Sequence, residues 1–264
     1  MLVLNNAGVN LQKRKLGRTN LEVSAIGFGA MWLPELKIEE CLRVVGRAIE
    51  LGINYFDTAR NYGDSEEKLG LALKESRDKC IIASKTGSRT KEKSLEQLKK
   101  SLKALKTDRL DILQLHGIDD PETLKKAMSK VGALETCKKA RSEGLIEFIG
   151  ISSHRPNVLV EAIKTDEFDM VLVPLNVVTR QPMEELLSFA KEHNIGVAVM
   201  KPLAMKVANL FTWRYNPSFS LLSDEPELAT FLGTDTASRV HSALKFILAQ
   251  AVSTIVPGFK SVKG

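Results

Sequence analysis

The chain has 264 residues, of which 44% are hydrophobic, and a formal net charge of +6. This length suits one large α/β barrel or two smaller domains. No apolar run approaches the roughly 20 residues needed to span a bilayer, and the N-terminus lacks the layout of a signal peptide. Three well-separated cysteines without a CxxC pair fit a reducing cytoplasm. We therefore expect a cytoplasmic protein without membrane contact.

Much of the positive charge lies in residues 91–106. Four leucines recur there at helical spacing, namely Leu95, Leu98, Leu102 and Leu105. The lysines then occupy the outer face of an amphipathic helix. A solvated helix face is favoured over a nucleic-acid groove because no aromatic residues are interleaved, and the basic balance modestly favours an anionic ligand such as a dinucleotide.

In chain order, a hairpin over residues 12–24 precedes a regular alternation of strands and helices. Eight short apolar strands are predicted, at residues 25–29, 53–56, 80–84, 110–115, 146–151, 170–173, 195–200 and 252–256. Seven helices are predicted between successive strands, at residues 39–51, 66–75, 91–106, 121–138, 156–163, 183–193 and 236–250. A segment rich in Trp, Phe, Ser and Asp, residues 203–235, interrupts the last unit.

Strands that are apolar throughout are typical of parallel sheets buried on both faces. Eight units of roughly 33 residues match a (β/α)8 TIM barrel. The alternative is a doubly wound open sheet, but GFGAMW after the first strand lacks the GxGxxG spacing of its phosphate loop. No Pro/Gly/Ser-rich linker breaks the alternation, so we expect one domain over residues 1–264.

Polar residues collect where the predicted strands end. Asp57 ends the second strand and is followed by Tyr62, Lys85 ends the third strand, and His116 ends the fourth. Further polar residues follow the later strands, namely Ser152, Ser153, Asn176 and Lys201. Barrel enzymes gather their chemistry at this face, so we expect the first four side chains to point into one mouth.

These four residue types suit proton transfer to a carbonyl oxygen. A free tyrosine is a weak acid at neutral pH, and a nearby ammonium such as Lys85 would lower the tyrosine pKa. Asp57 would hold Lys85 charged, and His116 would place the substrate oxygen by a hydrogen bond. No side chain here is a hydride donor, so a reduction requires a cofactor.

From about Lys13 onward the chain resembles the aldo-keto reductases. The motifs that carry the resemblance are LGRTNLEVSAIGFGAM, INYFDTARNYGDSEEKLG, ASKTG, LDILQLHG, IEFIGISSH, MKPLA and STIVPGFKS. The resemblance implies a catalytic tetrad of Asp57, Tyr62, Lys85 and His116. It also implies hydride transfer from NADPH, less often NADH, to a small aldehyde or ketone, with Tyr62 as the proton donor.

The resemblance also implies cofactor contacts around the mouth. Ser152 and Ser153 match the pair that holds the nicotinamide amide, and Met200 takes the place of a stacking aromatic. The other implied contacts are Gly29, Met31, Lys201, Pro202, Leu203, Lys260 and Ser261, the last two matching the start of the 2′-phosphate segment. No metal ligand set is expected, since the remaining histidines share no ligand spacing.

Relatives in this family continue with a C-terminal covering helix, and one subgroup often carries a cysteine-rich iron–sulfur extension. The sequence up to Gly264 contains neither segment, so we expect this chain to bind NADPH more weakly than a longer relative does. Two other functions are left open. One is a cofactor-binding sensor or regulatory subunit, as in potassium-channel β-subunits, with residues 203–235 as its docking surface. The other is a Schiff-base lyase acting through Lys85. The sequence predicts neither the substrate nor the oligomeric state.

Overall fold

The computed structural model describes residues 3–5, 8–203, 232–233 and 235–262. The predicted segment 203–235 therefore lies mostly outside the described residues. In the described ranges, no helix combines the length and apolar character needed to cross a membrane.

Two antiparallel hairpins open the chain. The first, β1 (Val3–Asn5) with β2 (Gly8–Asn10), was not predicted. The second pairs β3 (Lys13–Lys15) with β4 (Glu22–Ser24) and is the hairpin expected over residues 12–24.

Within the described residues, eight parallel strands then form one sheet in sequence order. They are β5 (Phe28–Gly29), β6 (Tyr55–Asp57), β7 (Ile81–Thr86), β8 (Leu110–Leu115), β9 (Ile146–Ser152), β10 (Met170–Pro174), β11 (Gly196–Met200) and β12 (Thr254–Ile255). The ends of the sheet meet through parallel bridges from Ile26 to Ile255 and from Gly29 to Gly258. This closure confirms the predicted (β/α)8 barrel and excludes the open doubly wound sheet.

Helices connect the strands on the outside of the barrel. They are α1 (Ile38–Glu50), α2 (Ser65–Ala72), α3 (Lys91–Leu105), α4 (Pro121–Ala127), α5 (Ala133–Ser142), α6 (Pro156–Lys164), α7 (Gln181–Glu185), α8 (Leu187–Glu192) and α9 (Thr236–Leu248). Two 3₁₀ helices add to them, at Ala30–Glu35 and Lys74–Lys79.

The prediction of one helix over residues 121–138 was wrong. The chain leaves the helix after Ala127, and Gly132 pairs with Thr90 in an antiparallel bridge. A Cβ at Gly132 would lie 2.2 Å from the Ala127 carbonyl oxygen, so only glycine fits this turn. The helix predicted at 183–193 is also two pieces, joined at Leu186, whose φ of −113° is outside the helical range.

The inside of the barrel explains where the polar residues point. Along a strand, alternate side chains face the same side. Interior residues Tyr55, Ala83 and Ile112 belong to one apolar cluster, so the side chains two positions later also face inward. Those later residues are Asp57, Lys85 and Gln114.

The β3–β4 hairpin covers the opposite end of the barrel. Leu16 and Val23 from this hairpin belong to the same interior apolar cluster as Tyr55, and both are fully buried. The amino-terminal end of the barrel is therefore closed by apolar packing. The polar interior residues Asp57, Lys85 and Gln114 lie toward the other end, at the carboxyl ends of the strands.

Candidate active site

A buried ion pair lies at the centre of the mouth. Lys85 on β7 donates a hydrogen bond from Nζ to Asp57 Oδ2 at 2.5 Å and a second one to the Thr58 carbonyl oxygen at 2.7 Å. The side chains of Lys85 and Asp57 are only 1% and 5% exposed. Burial lowers the pKa of Lys85, but the charges and hydrogen bonds of Asp57 and Tyr62 raise it more, and the net pKa is above the ordinary value. The structure therefore keeps Lys85 as an ammonium at neutral pH.

Tyr62 lies on the loop between β6 and α2, against this ammonium. Lys85 Nζ is 4.9 Å from the centroid of the Tyr62 ring. Burial raises the pKa of Tyr62, whereas the charge of Lys85 lowers it, and the net pKa is above the ordinary value. Lys85 acts in the direction that the sequence predicted, but burial outweighs it. Tyr62 therefore carries its proton at neutral pH.

His116 completes the group of four residues that were expected to meet. Its backbone N–H donates to the Thr86 carbonyl oxygen at 3.0 Å. Its ring stands edge-on to that of Tyr62, with centroids 5.7 Å apart and planes at 82°. Burial and the charges of Lys85 and Arg89 lower the pKa of His116 to about 3. The imidazole is thus neutral near pH 7, and its protonated ring nitrogen can act as a neutral donor.

A second buried ion pair holds the Tyr62 loop, residues 58–64, and the sequence did not predict it. Glu66, in the first turn of α2, is fully buried and accepts a hydrogen bond from Ser84 Oγ at 2.5 Å. Its Oε2 lies 2.6 Å from Arg60 Nη1, an ion pair without hydrogen-bond alignment. The Arg60 N–H donates to the Lys85 carbonyl oxygen at 3.1 Å. The loop that carries Tyr62 is thereby tied to both β7 and α2.

A hydroxyl pair fastens the same loop to the neighbouring βα unit. Thr58 Oγ1 and Ser65 Oγ are 2.9 Å apart, and Ser65 Oγ donates to the Ala30 carbonyl oxygen at 2.7 Å. Thr58 and Ser65 are fully buried. Because Thr58 and Ser65 stand at the two ends of the loop, their hydrogen bond and the bond to Ala30 hold the loop, and with it Tyr62, in place.

The loops after β8, β9 and β11 meet on the other side of the mouth. Asp119 Oδ1 accepts hydrogen bonds from Ser153 Oγ at 3.0 Å and from the His154 N–H at 2.7 Å. Nδ1 of His154 lies 3.1 Å from Asp119 Oδ2, and Nε2 lies 3.0 Å from Lys201 Nζ. Partial burial raises the pKa of Asp119, but the hydrogen bonds from His154 and Ser153 lower it to about 2. Asp119 was not singled out in the sequence, because an Asp-Asp-Pro run before a helix is equally typical of a cap.

The residues expected to contact a cofactor lie around the rim in two places. The first place is the carboxyl ends of β9 and β11 and the loops after them, with Ser152, Ser153, Met200, Lys201, Pro202 and Leu203. The second is at or beside β5 and β12, with Gly29, Met31, Lys260 and Ser261. Ser152 Oγ accepts a hydrogen bond from the Gly117 N–H at 2.9 Å. Lys260 lies 3.9 Å above the Trp32 ring and pairs with Glu35 at 2.8 Å. Lys201 therefore contacts His154, whereas Lys260 contacts Trp32 and Glu35.

The chain is similar to proteins of one known family. The model of a family described as "Aldo/keto reductase family" matches residues 25–264. An uncharacterized oxidoreductase, YqkF, of Bacillus subtilis is 31% identical over 96% of this chain and 88% of its own length. The NADH-specific methylglyoxal reductase of Escherichia coli is 28% identical over 73% of this chain and 68% of its own length.

Solved structures also match the barrel. The holo form of aldo-keto reductase AKR11C1 from Bacillus halodurans has a TM-score of 0.79 and 32% identity, covering 96% of this chain and 88% of its own. An aldo-keto reductase from Klebsiella pneumoniae in complex with NADPH has a TM-score of 0.77 and covers 96% of this chain and 87% of its own. At 22% identity, the second likeness bears on the fold alone.

Proposed function

This chain belongs to the aldo/keto reductase family, and we propose that it reduces an aldehyde or ketone to an alcohol with NADPH, Tyr62 being the proton donor. The observation that carries the proposal is the contact between the buried Asp57–Lys85 pair and the Tyr62 ring. A protonated phenol beside the Lys85 ammonium is suited to giving up a proton when charge develops on a neighbouring oxygen.

The rim residues fit a nicotinamide dinucleotide. Lys201 and Lys260 supply cations for its phosphates, and the hydroxyls of Ser152 and Ser153 supply polar contacts for its amide. The ion pair of Lys260 with Glu35 is about half-exposed on both sides; such pairs are weak, so a phosphate can replace Glu35. The bound cofactor supplies the hydride, which no side chain here can. NADPH is the proposed donor because a lysine favours a 2′-phosphate, with NADH as the alternative.

Four side chains have separate roles in the protonation of the substrate. His116 is neutral at pH 7 and donates a hydrogen bond that places the substrate carbonyl oxygen. Tyr62 passes its proton to that oxygen as negative charge develops on it. Lys85 stabilises the tyrosinate that remains, and Asp57 keeps Lys85 protonated. General acid catalysis of this kind contributes on the order of 10²–10⁴-fold in rate.

The raised pKa of Lys85 also bears on the Schiff-base alternative. A lysine must lose its proton to attack a carbonyl carbon. The paired carboxylate of Asp57 favours the protonated form, so Lys85 is a poor nucleophile. This observation favours reduction over lyase chemistry at the same site.

The test measures NADPH oxidation with a panel of aldehydes and ketones. Tyr62→Phe is expected to abolish turnover while cofactor binding, followed by fluorescence titration, persists. Tyr55→Phe is the matched control, because its hydroxyl is buried without a hydrogen-bond partner among the described residues. Turnover that survives in Tyr62→Phe would remove Tyr62 as the acid, and a wild-type chain that reduces nothing in the panel would contradict the reductase function.

A further inference from the structure

Gln114 is a fully buried polar side chain inside the barrel. It lies on β8, in register with Lys85 on β7 and with Gly150 on β9. Its Nε2 donates a hydrogen bond to Asp57 Oδ1 at 2.8 Å. The orientation of the amide follows from chemistry, because an ionised carboxylate accepts hydrogen bonds and the NH₂ group is the only donor of the Gln114 side chain.

The two oxygens of Asp57 are therefore held by two different strands. Oδ2 accepts from Lys85 and Oδ1 accepts from Gln114. With one donor on each oxygen, the plane of the carboxylate is fixed. Without Gln114, the carboxylate can turn about its last bond, and the Thr58 carbonyl oxygen is left as the fixed acceptor for Lys85.

We propose that Gln114 is a positioning residue for the reduction: it orients the Asp57 carboxylate and, through it, the ammonium of Lys85 against Tyr62. The proposal rests on the proposed function, in which Tyr62 is the acid. It extends the line of contacts by one residue, from Gln114 to Asp57, Lys85 and Tyr62.

Packing alone gives a poor reason for a glutamine here. Oε1 of Gln114 is buried and has no hydrogen-bond partner among the described residues. A buried acceptor without a partner costs free energy, which an apolar side chain of similar shape avoids. The donor end of the amide, bound to Asp57, is what distinguishes glutamine from such a side chain.

The neighbouring strand makes room for this side chain. A Cβ on Gly150 would lie 2.8 Å from Gln114 Cγ and 2.6 Å from Met170 Sδ. Gly150 thus leaves the space through which Gln114 reaches toward Asp57. Gly150→Ala is expected to displace Gln114 and to weaken turnover as well.

The decisive variants are Gln114→Met and Gln114→Glu. Methionine keeps the length of the side chain and loses the donor, so kcat is expected to fall by about tenfold or more, as for one charge-assisted hydrogen bond, while KM changes little. Because the charge of Lys85 lowers the pKa of Tyr62, a displaced ammonium should move the tyrosinate titration and the alkaline limb of the kcat profile to higher pH. Glutamate can share one proton with Asp57, so Gln114→Glu should retain most activity at low pH and lose it as that proton leaves.

The measurement combines kcat–pH profiles with an ultraviolet tyrosinate titration, each variant being compared with its Tyr62→Phe counterpart. Gln250→Met is the matched control, since the side chain of Gln250 donates to the Phe246 carbonyl oxygen near the end of α9 and not to Asp57. If Gln114→Met does not fold, the pH-dependent recovery of Gln114→Glu decides. Wild-type kcat and pH profile in Gln114→Met, or no pH-dependent recovery in Gln114→Glu, would overturn the role of Gln114. A wild-type chain without reductase activity would instead contradict the proposed function.

Discussion

Glu66→Gln is expected to destabilise the protein and to slow turnover, although Glu66 touches neither substrate nor cofactor in the proposed mechanism. The substitution keeps the shape of the side chain and removes its charge. The carboxylate of Glu66 is fully buried, and its partner Arg60 is only 21% exposed. The variant leaves the Arg60 cation without its counter-charge and weakens the hydrogen bond from Ser84.

The magnitude follows from the burial. Breaking a buried ion pair by removing one partner costs about 3–5 kcal/mol. We take the lower value of about 3 kcal/mol, because Arg60 keeps partial contact with water and a glutamine still accepts from Ser84. At about 2–4 °C per kcal/mol for a chain of this size, the midpoint of thermal unfolding should fall by roughly 6–12 °C.

The same change loosens the loop that carries Tyr62. A misplacement of about 1 Å in a reacting group can cost on the order of 10²-fold in rate. The kcat of Glu66→Gln should therefore be lower than that of the wild type even at temperatures where the variant is still folded. The assay is circular-dichroism melting together with kcat at 25 °C, a temperature well below the transition.

The control is Glu96→Gln on α3. Glu96 pairs with Lys100, and these two side chains are 61% and 63% exposed. Exposed ion pairs contribute little, so the midpoint and kcat of this variant should equal those of the wild type. If Glu66→Gln melts at the same temperature as Glu96→Gln, the Arg60–Glu66 pair does not stabilise the loop and the reasoning from burial fails.

Two further predictions concern pH and cofactor choice. The pKa of His116 is lowered to about 3 from an ordinary 6.5, so the stability that the neutral ring contributes is full above pH 6.5 and is lost as the pH falls toward the folded-state pKa. His116→Gln should therefore make the free energy of unfolding less dependent on pH between these two pKa values. An unchanged slope would contradict the burial of a neutral ring. Lys260→Met should raise the Kd for NADPH by about tenfold, the worth of one charged contact, and leave that for NADH unchanged; equal effects on both cofactors would show that Lys260 does not contact a 2′-phosphate.

The sequence by itself determined the barrel and the meeting of four residues at its mouth. Asp57, Lys85 and His116 lie at or next to the ends of successive strands, one βα unit apart. Both the apolar strand runs and the strand-end positions are local patterns with fixed periods. In a parallel sheet, all strand ends of one kind face the same way, so local spacing was sufficient to predict which side chains meet.

The tertiary structure decided which groups hold these four in place. Glu66 and Gln114 are ordinary residues of a helix and a strand in the sequence, and only the packing of α2 and β8 against β6 and β7 brings them to Arg60 and Asp57. The net pKa of Tyr62 is another such case, because burial outweighs the charge of Lys85. Burial and long-range pairing depend on residues distant in the chain, and no local period encodes them. The break at Gly132 has the same origin, since its partner Thr90 belongs to the preceding βα unit.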